Sequence, residues 1–337
     1  MATRKGKTFT FEKEIRVLSS AGVAGRLEGE GPLGKCFDRV FEDTTMGEKA
    51  WEKAESDLLS AAMHTALKKG NMKEADIDAV FAGDLLNQCI SSSFSLRDMD
   101  VPFGGMFGAC STMALSSIAA CLSIESGAMN ISMAATSSHF CSAEKQFRFP
   151  LEYGGQRTPT AQRTVTGAGA LILSESESEV LPRIKAANLG TVVDLGIIDS
   201  TNMGAAMAPA ARKTVSDFLR DTNTLPSDYD MILTGDLGLV GSRLLRELMQ
   251  KEDNLDVSAV HQDCGLMIFD RDNQDVHAGG SGCGCCGSVL CSHILDEMRR
   301  GRIKNLLFVA TGALMSPVSS REGESIPGVA HLLHFVI

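Results

Sequence analysis

The sequence predicts an α/β fold built from two similar halves, residues 1–179 and 180–337. Three observations carry that expectation. Short apolar runs of strand length alternate with longer stretches in which apolar residues recur every three or four positions. Parts of this order recur: residues 80–85 (VFAGDL) match 232–237 (ILTGDL), and 127–136 resemble 301–311 with one extra residue. Each copy also has a turn rich in Gly and Cys before a helix of small residues, GACS from Gly108 and GCGCC from Gly282.

The elements follow in order. Residues 8–11 and 15–18 read as short strands before a Gly-rich turn and a loop. Over 50–69, Trp51, Ala54, Leu58, Ala62, Thr65 and Ala66 share one helical face, and Gly70 ends it. Residues 78–84 (DAVFAGD) and 106–110 (MFGAC) read as strands, the second entering a helix over 111–126 that Gly127 stops. A strand over 130–137, a polar irregular stretch over 141–164 and a strand over 166–173 complete the first half. SESESE at 174–179 is a charged turn between the halves. The second half reads as strand 184–189, helix 203–220, strand 229–235, helix 242–251, a strand near 265–269, helix 285–299 and strands 305–310 and 328–337. Aligning Gly127 with Gly301 sets Cys110 opposite Gly284. A pseudo-dyad relating the copies would bring both small-residue helices to the centre.

Composition narrows the function. Hydrophobic residues make up 44% and charged residues 22%, the balance of a soluble globular protein. A chain of 337 residues buries roughly three quarters of its unfolded surface, so it needs no disulfide or metal to hold it. The net charge of −10 argues against nucleic acid as a partner and against docking on anionic lipid. No basic stretch followed by an apolar one opens the chain, so no signal peptide is expected. The weakly polar stretch 306–318 falls short of the roughly 20 residues a membrane span needs.

The ten cysteines read as free thiols. Cys283, Cys285, Cys286 and Cys291, with His277 and His293 nearby, invite a zinc reading. Structural zinc sites come as two separated pairs, whereas these Cys lie in one run of small residues. They are read as small buried hydrophobes, with no metal. Cys110 differs: it opens a helix, where the dipole and free N–H groups lower a thiol pKa. The bland alternative is a small Cys at a tight turn. Asp84 closes a strand at the sheet edge where α/β folds place ligands. It would equally well cap the next turn, as its twin Asp236 would.

Several stretches carry a resemblance: FAGDLLNQ (81–88), FGACST (107–112), SSHF with AEKQFRFPLEYGGQRTPTAQRTVTGAGA (within 137–170), NMGAAMAPAA (202–211), TGDLG (234–238), GSGCGC (280–285) and ESIPGVAH (324–331). With the duplicated halves, they resemble the thiolase and ketoacyl-synthase superfamily, and within it a family of sporulation proteins of endospore-forming bacteria. The resemblance implies a thiolase-like five-layered αβαβα fold. It implies a protein that binds dipicolinic acid and serves its uptake into the developing spore. It implies association with other spore membrane proteins of the same operon, on the cytoplasmic side of the forespore inner membrane as a peripheral protein. A homodimer is expected, pairing through first-half strand edges near 130–137.

The same resemblance weighs the residues. In the condensing enzymes the position of Cys110 carries the acyl group, and an acyl-transferring enzyme using Cys110 and His277 is the alternative reading. The catalytic set is incomplete here. The last Gly-rich loop, 321–328, has no Cys, and Gly-His-Pro is absent; residues 276–282 around His277 match it only loosely, and His277 reads as a surface turn residue. A non-catalytic binding protein is therefore expected, without cofactor. Its ligand site is expected from Cys110, Asp84, Ser325, Asn87 and His331, with Gln88 a weaker candidate and His139 at an interface. Dipicolinate is a dianion that Asp84 would repel. The helix start at Cys110, a Ca²⁺ chelate of the ligand, or Lys145, Arg148, Arg157 and Arg163 would offset that charge.

Overall fold

The computed structural model describes residues 2–147 and 157–337. Arg148 lies outside them. The first half has strands β1 (Ile15–Gly25), β2 (Ala79–Gly83), β3 (Phe103–Gly105), β4 (Ile131–Ser138) and β5 (Gly167–Glu175). The second has β6 (Arg183–Asn188), β7 (Met231–Thr234), β8 (His261–Asp263), β9 (Asn305–Ala313) and β10 (Gly328–Val336). Their spatial order is β3-β2-β4-β5-β1 followed by β6-β10-β9-β7-β8, so each half repeats the other from its outer edge inward. In both, the two outer pairings are parallel and the next two antiparallel. The two groups meet at a single pair, Arg16 opposite Arg183. The matched segments 80–85 and 232–237 hold the same place in each half, second from the edge.

Helices complete five layers. The outer helix α1 (Trp51–Lys69) packs on β1, β4 and β5. At the centre lie α2 (Thr112–Glu125) and α5 (Cys283–Val289). The helix α3 (Met203–Thr222) covers β9 and β10, with α4 (Gly238–Asp253) beside it. The central pair is built from small residues because backbone must approach backbone there. A Cβ on Gly169 of β5 would stand 2.1 Å from the Gly287 carbonyl oxygen. One on Gly284 would stand 2.2 Å from the Gly167 carbonyl oxygen. Only glycine tolerates either contact. Strands covered on both faces lose the polar alternation of a half-exposed sheet, and β4 and β5 are accordingly buried almost throughout.

Four expectations need correcting. The strand expected over 106–110 is β3, because Val80–Ala82 pair with Phe103–Gly105, and the chain then turns through Ala109 at φ 49°. The apolar run near 265–269 is one turn of helix, Cys264–Met267, whose N-terminus Asp263 caps through Leu266 N–H (3.2 Å); β8 precedes it. A run that short buries itself equally well as strand or helix. Part of the stretch expected to be irregular forms a helix, Phe140–Phe147. Finally, β4 is paired on both sides, with β2 and β5, so it offers no free edge for a dimer; the first-half edge is β3. No helix among the described residues is long and apolar enough to cross a membrane.

Candidate functional site

Cys110 sits in the turn that leads from β3 into α2, where the halves meet. The preceding Ala109 holds a left-handed backbone, a conformation non-glycine residues adopt at some cost. The turn is pressed from both sides. Gly83, at the end of β2, has no side chain to push Met106 away, and Gly312 of β9 lets the Gly108 carbonyl come close. The strand-to-helix turn of the second half completes the wall. Ser281 Oγ lies 4.0 Å from the Cys110 sulfur and 3.2 Å from Asp236 Oδ2. Asp236 also accepts from Gly282 N–H (2.8 Å) and Thr311 Oγ1 (2.8 Å). Leu85, Ala143 and Cys283 form one small buried apolar cluster with Cys110.

The electrostatics oppose a thiolate. Burial pushes the Cys110 pKa well above its ordinary value, and the neighbouring Asp236 carboxylate adds to the rise. Burial likewise raises Asp236. His331 backs the turn, its Nε2 facing Gly108, and its Nδ1 accepts from Gly190 N–H at 3.1 Å. Burial lowers its pKa to about 4, so it is neutral at pH 7.

The other expected residues divide. Asp84 is fully buried, but its oxygens face its own turn: Oδ1 accepts from Leu86 N–H (2.9 Å), and Oδ2 from Ser92 N–H (2.8 Å) and Oγ (2.6 Å). It caps that turn and so fixes the backbone beside Leu85, a member of the Cys110 cluster, with both carboxylate oxygens turned to donors of its own segment. Asn87 is exposed and pairs with Gln146, and Gln88 is exposed as well. Ser325 donates to Asp194 (2.6 Å) on the neighbouring loop. His277 sits at the surface 3.2 Å from Asp275, and His139 is buried against Trp51, with Nε2 2.9 Å from the Thr44 carbonyl. Lys145 pairs with Glu52 and Arg157 with Asp275, while Arg163 stacks 3.8 Å over Phe140. Asp236, which the sequence reads as a cap, and Ser281, which it does not single out, are the groups that reach the thiol.

The clustered cysteines are buried. The thiols of Cys283, Cys285 and Cys286 donate to backbone carbonyls of Ser137 (2.9 Å), Gly235 (3.8 Å) and Cys110 (3.6 Å). They behave as small core residues with a weak donor.

The stage V sporulation protein AD family pattern matches residues 5–336. The chain belongs to the stage V sporulation protein AD family. A family member from Bacillus subtilis (strain 168), stage V sporulation protein AD, is 45% identical over 325 residues, covering 96% of this chain and 95% of that protein. The family name assigns the chain a role in sporulation. Among solved structures, cerulenin-bound OleA of Xanthomonas campestris superposes with a TM-score of 0.63 at 13% identity, over 99% of this chain and all of that one. The 3-oxoacyl-[acyl-carrier-protein] synthase III of Aquifex aeolicus VF5 gives 0.57 at 12%, over 96% and 100%. At such identities these likenesses establish the thiolase-like fold alone.

Proposed function

We propose that this sporulation protein is a non-catalytic binding protein for dipicolinic acid, free or as its Ca²⁺ chelate, and that it serves uptake of the ligand into the developing spore. One observation carries the reading: the thiol at the centre of the scaffold is buried beside a carboxylate and held protonated. A nucleophilic cysteine needs a partner that removes its proton. Among the described residues the imidazole facing its turn is His331, whose Nδ1 accepts from Gly190 N–H, so that the neutral ring carries its proton on Nε2 and turns no lone pair to the thiol. The wall made by Cys110, Ser281 and Leu85 supports a ligand pocket with no reaction attached. Asp84 positions that wall, and because its carboxylate faces inward it presents no bare charge to a dianion.

The protein works as a homodimer, without cofactor, peripheral to the cytoplasmic face of the forespore inner membrane and beside other membrane proteins of its operon. Calorimetric titration with dipicolinate, with and without Ca²⁺ and against an acyl-CoA control, tests the reading. Saturable heat with dipicolinate alone or with Ca²⁺ is the expected result. No heat with either, together with acetoacetyl-CoA cleavage that Cys110→Ser abolishes, would restore the acyl-transfer alternative.

A further inference from the structure

The loop between β6 and α3 turns Val193 and Ile197 inward, where they pack on the second-half core with Ile326. Its alternate residues Val192, Leu195 and Ile198 point out and are 60%, 66% and 67% exposed. The loop is fixed at several points. Val193 exchanges both backbone hydrogen bonds with Gly328 (2.8 and 2.7 Å), and Ile326 N–H donates to the Ile197 carbonyl (2.7 Å). Asp194 accepts from Ser325 through one oxygen (2.6 Å) and from Gly196 N–H through the other (2.9 Å). The connection from β9 to β10, to which the loop is stitched, adds Val318 at 64% exposure. Aliphatic side chains held outward by a pinned backbone stay in water at a free-energy cost, and such a patch marks an interaction surface.

The charges select the occupant. Residues 186–211 contain no Lys or Arg, yet Asp194 and Asp199 flank the exposed tips. Across 313–328, Glu322 and Glu324 stand against the single Arg321. An anionic membrane surface is repelled by this rim, and a second copy of the chain would set like charges face to face. We propose that the ridge docks an apolar, Lys- or Arg-bearing segment of a partner protein, of the kind an amphipathic helix presents. The inference deepens the proposed role beside membrane partners and rests on it.

The test uses the full chain and a fluorescein-labelled amphipathic peptide of Leu and Lys alone. Fluorescence anisotropy should give saturable binding that weakens about fivefold or more both in Leu195→Ser/Ile198→Ser and in Glu322→Lys/Glu324→Lys. Leu225→Ser, which removes an exposed aliphatic side chain elsewhere, should leave it unchanged. Equal affinity across all variants would overturn the proposal. So would sedimentation of the unmodified chain with phosphatidylglycerol vesicles that the Leu195/Ile198 variant loses, or a dimer in light scattering that this variant alone dissolves. The charge-reversal pair decides the matter if the apolar pair fails to fold. Dipicolinate titration of the same variants should be unchanged, so a failed ridge and a failed ligand reading give different results.

Discussion

The Cys110 thiol lies 4.0 Å from the Ser281 hydroxyl, and the contact bridges the two halves of the chain. Ser281 passes it on to Asp236 at 3.2 Å. A sulfur tied through one hydroxyl to a hidden carboxylate keeps its proton, since a thiolate would face a like charge at low dielectric. The same residue type that makes a nucleophile at an open helix start lines a wall here.

Alkylation measures this directly. At pH 9, iodoacetamide should label the partly exposed Cys36 and Cys141 first and spare Cys110, which is 5% exposed, until the chain unfolds. Peptide mass spectrometry reads the order. Labelling of Cys110 as fast as Cys36 would place a reactive thiolate at the site. Cys110→Ala removes one contact from the wall and should cost about fivefold in dipicolinate affinity, or about 1 kcal/mol.

Asp84→Arg should act through the fold. It replaces a fully buried carboxyl that holds three donors with a longer cation that can accept from none of them. A loss of roughly 3–5 kcal/mol is expected in chemical denaturation. Asp84→Asn keeps one acceptor and should lose about 1–2 kcal/mol. If Asp84→Arg proves as stable as the unmodified chain, the side chain has room to turn into the pocket, and Asp84 faces the ligand after all.

The repeat explains how much of this was legible. FAGDL and LTGDL recur because β2 and β7 occupy the same place, so the duplicated architecture is written in letters. The roles of the twin aspartates are not. Asp84 and Asp236 end equivalent strands, but Ser92 lies beside one and Ser281 and Thr311 beside the other, and those neighbours come from elsewhere in the chain. The interior place of β4 was hidden for a similar reason. An apolar run of that length reads the same at an edge as in the middle, and pairing partners decide which it is.

Stability should depend on pH on both sides of neutrality. Burial lowers His331 and His334 to about 4, and burial with the nearby Arg246 lowers His261 to about 3. Their folded values lie below the unfolded one near 6.5, so the stability they confer is present above pH 6.5 and is lost as pH falls toward 4. Glu55 is raised to about 8 by burial and by Asp84, and Glu28 and Asp263 to about 7 by burial. Their contribution is present below about pH 4 and is lost as pH rises through 7 to 8. Between pH 6.5 and 8.5 the carboxyls act, joined toward the upper end by the buried thiols, whose raised values cost stability in the same direction, so the melting temperature should fall, by roughly 2–4 °C for each kcal/mol lost. Glu55→Gln should flatten that limb. A melting temperature that climbs over this range would contradict the assignment.

A dimer, if it forms through strand pairing, should use β3. It ends the strand order, so its outer side has no partner strand, and Phe103 and Phe107 are exposed. Phe103→Lys should convert a dimer to a monomer in light scattering, whereas Asn130→Lys, beside the interior strand, should not. The reverse pattern would return the interface to β4.

The glycine contacts between β5 and α5 bear on how the protein is made. Gly167 and Gly169 emerge from the ribosome more than a hundred residues ahead of Gly284 and Gly287, against which they lie. Until that helix has been synthesised, α2 covers β2 and β4 from within, but the stretch of β5 at Gly167 and Gly169 lacks the helix it is shaped to meet. The nascent half-chain must wait, exposed, for translation to pass Val289, and a truncated product ending at the internal turn would be a substrate for chaperones and proteases.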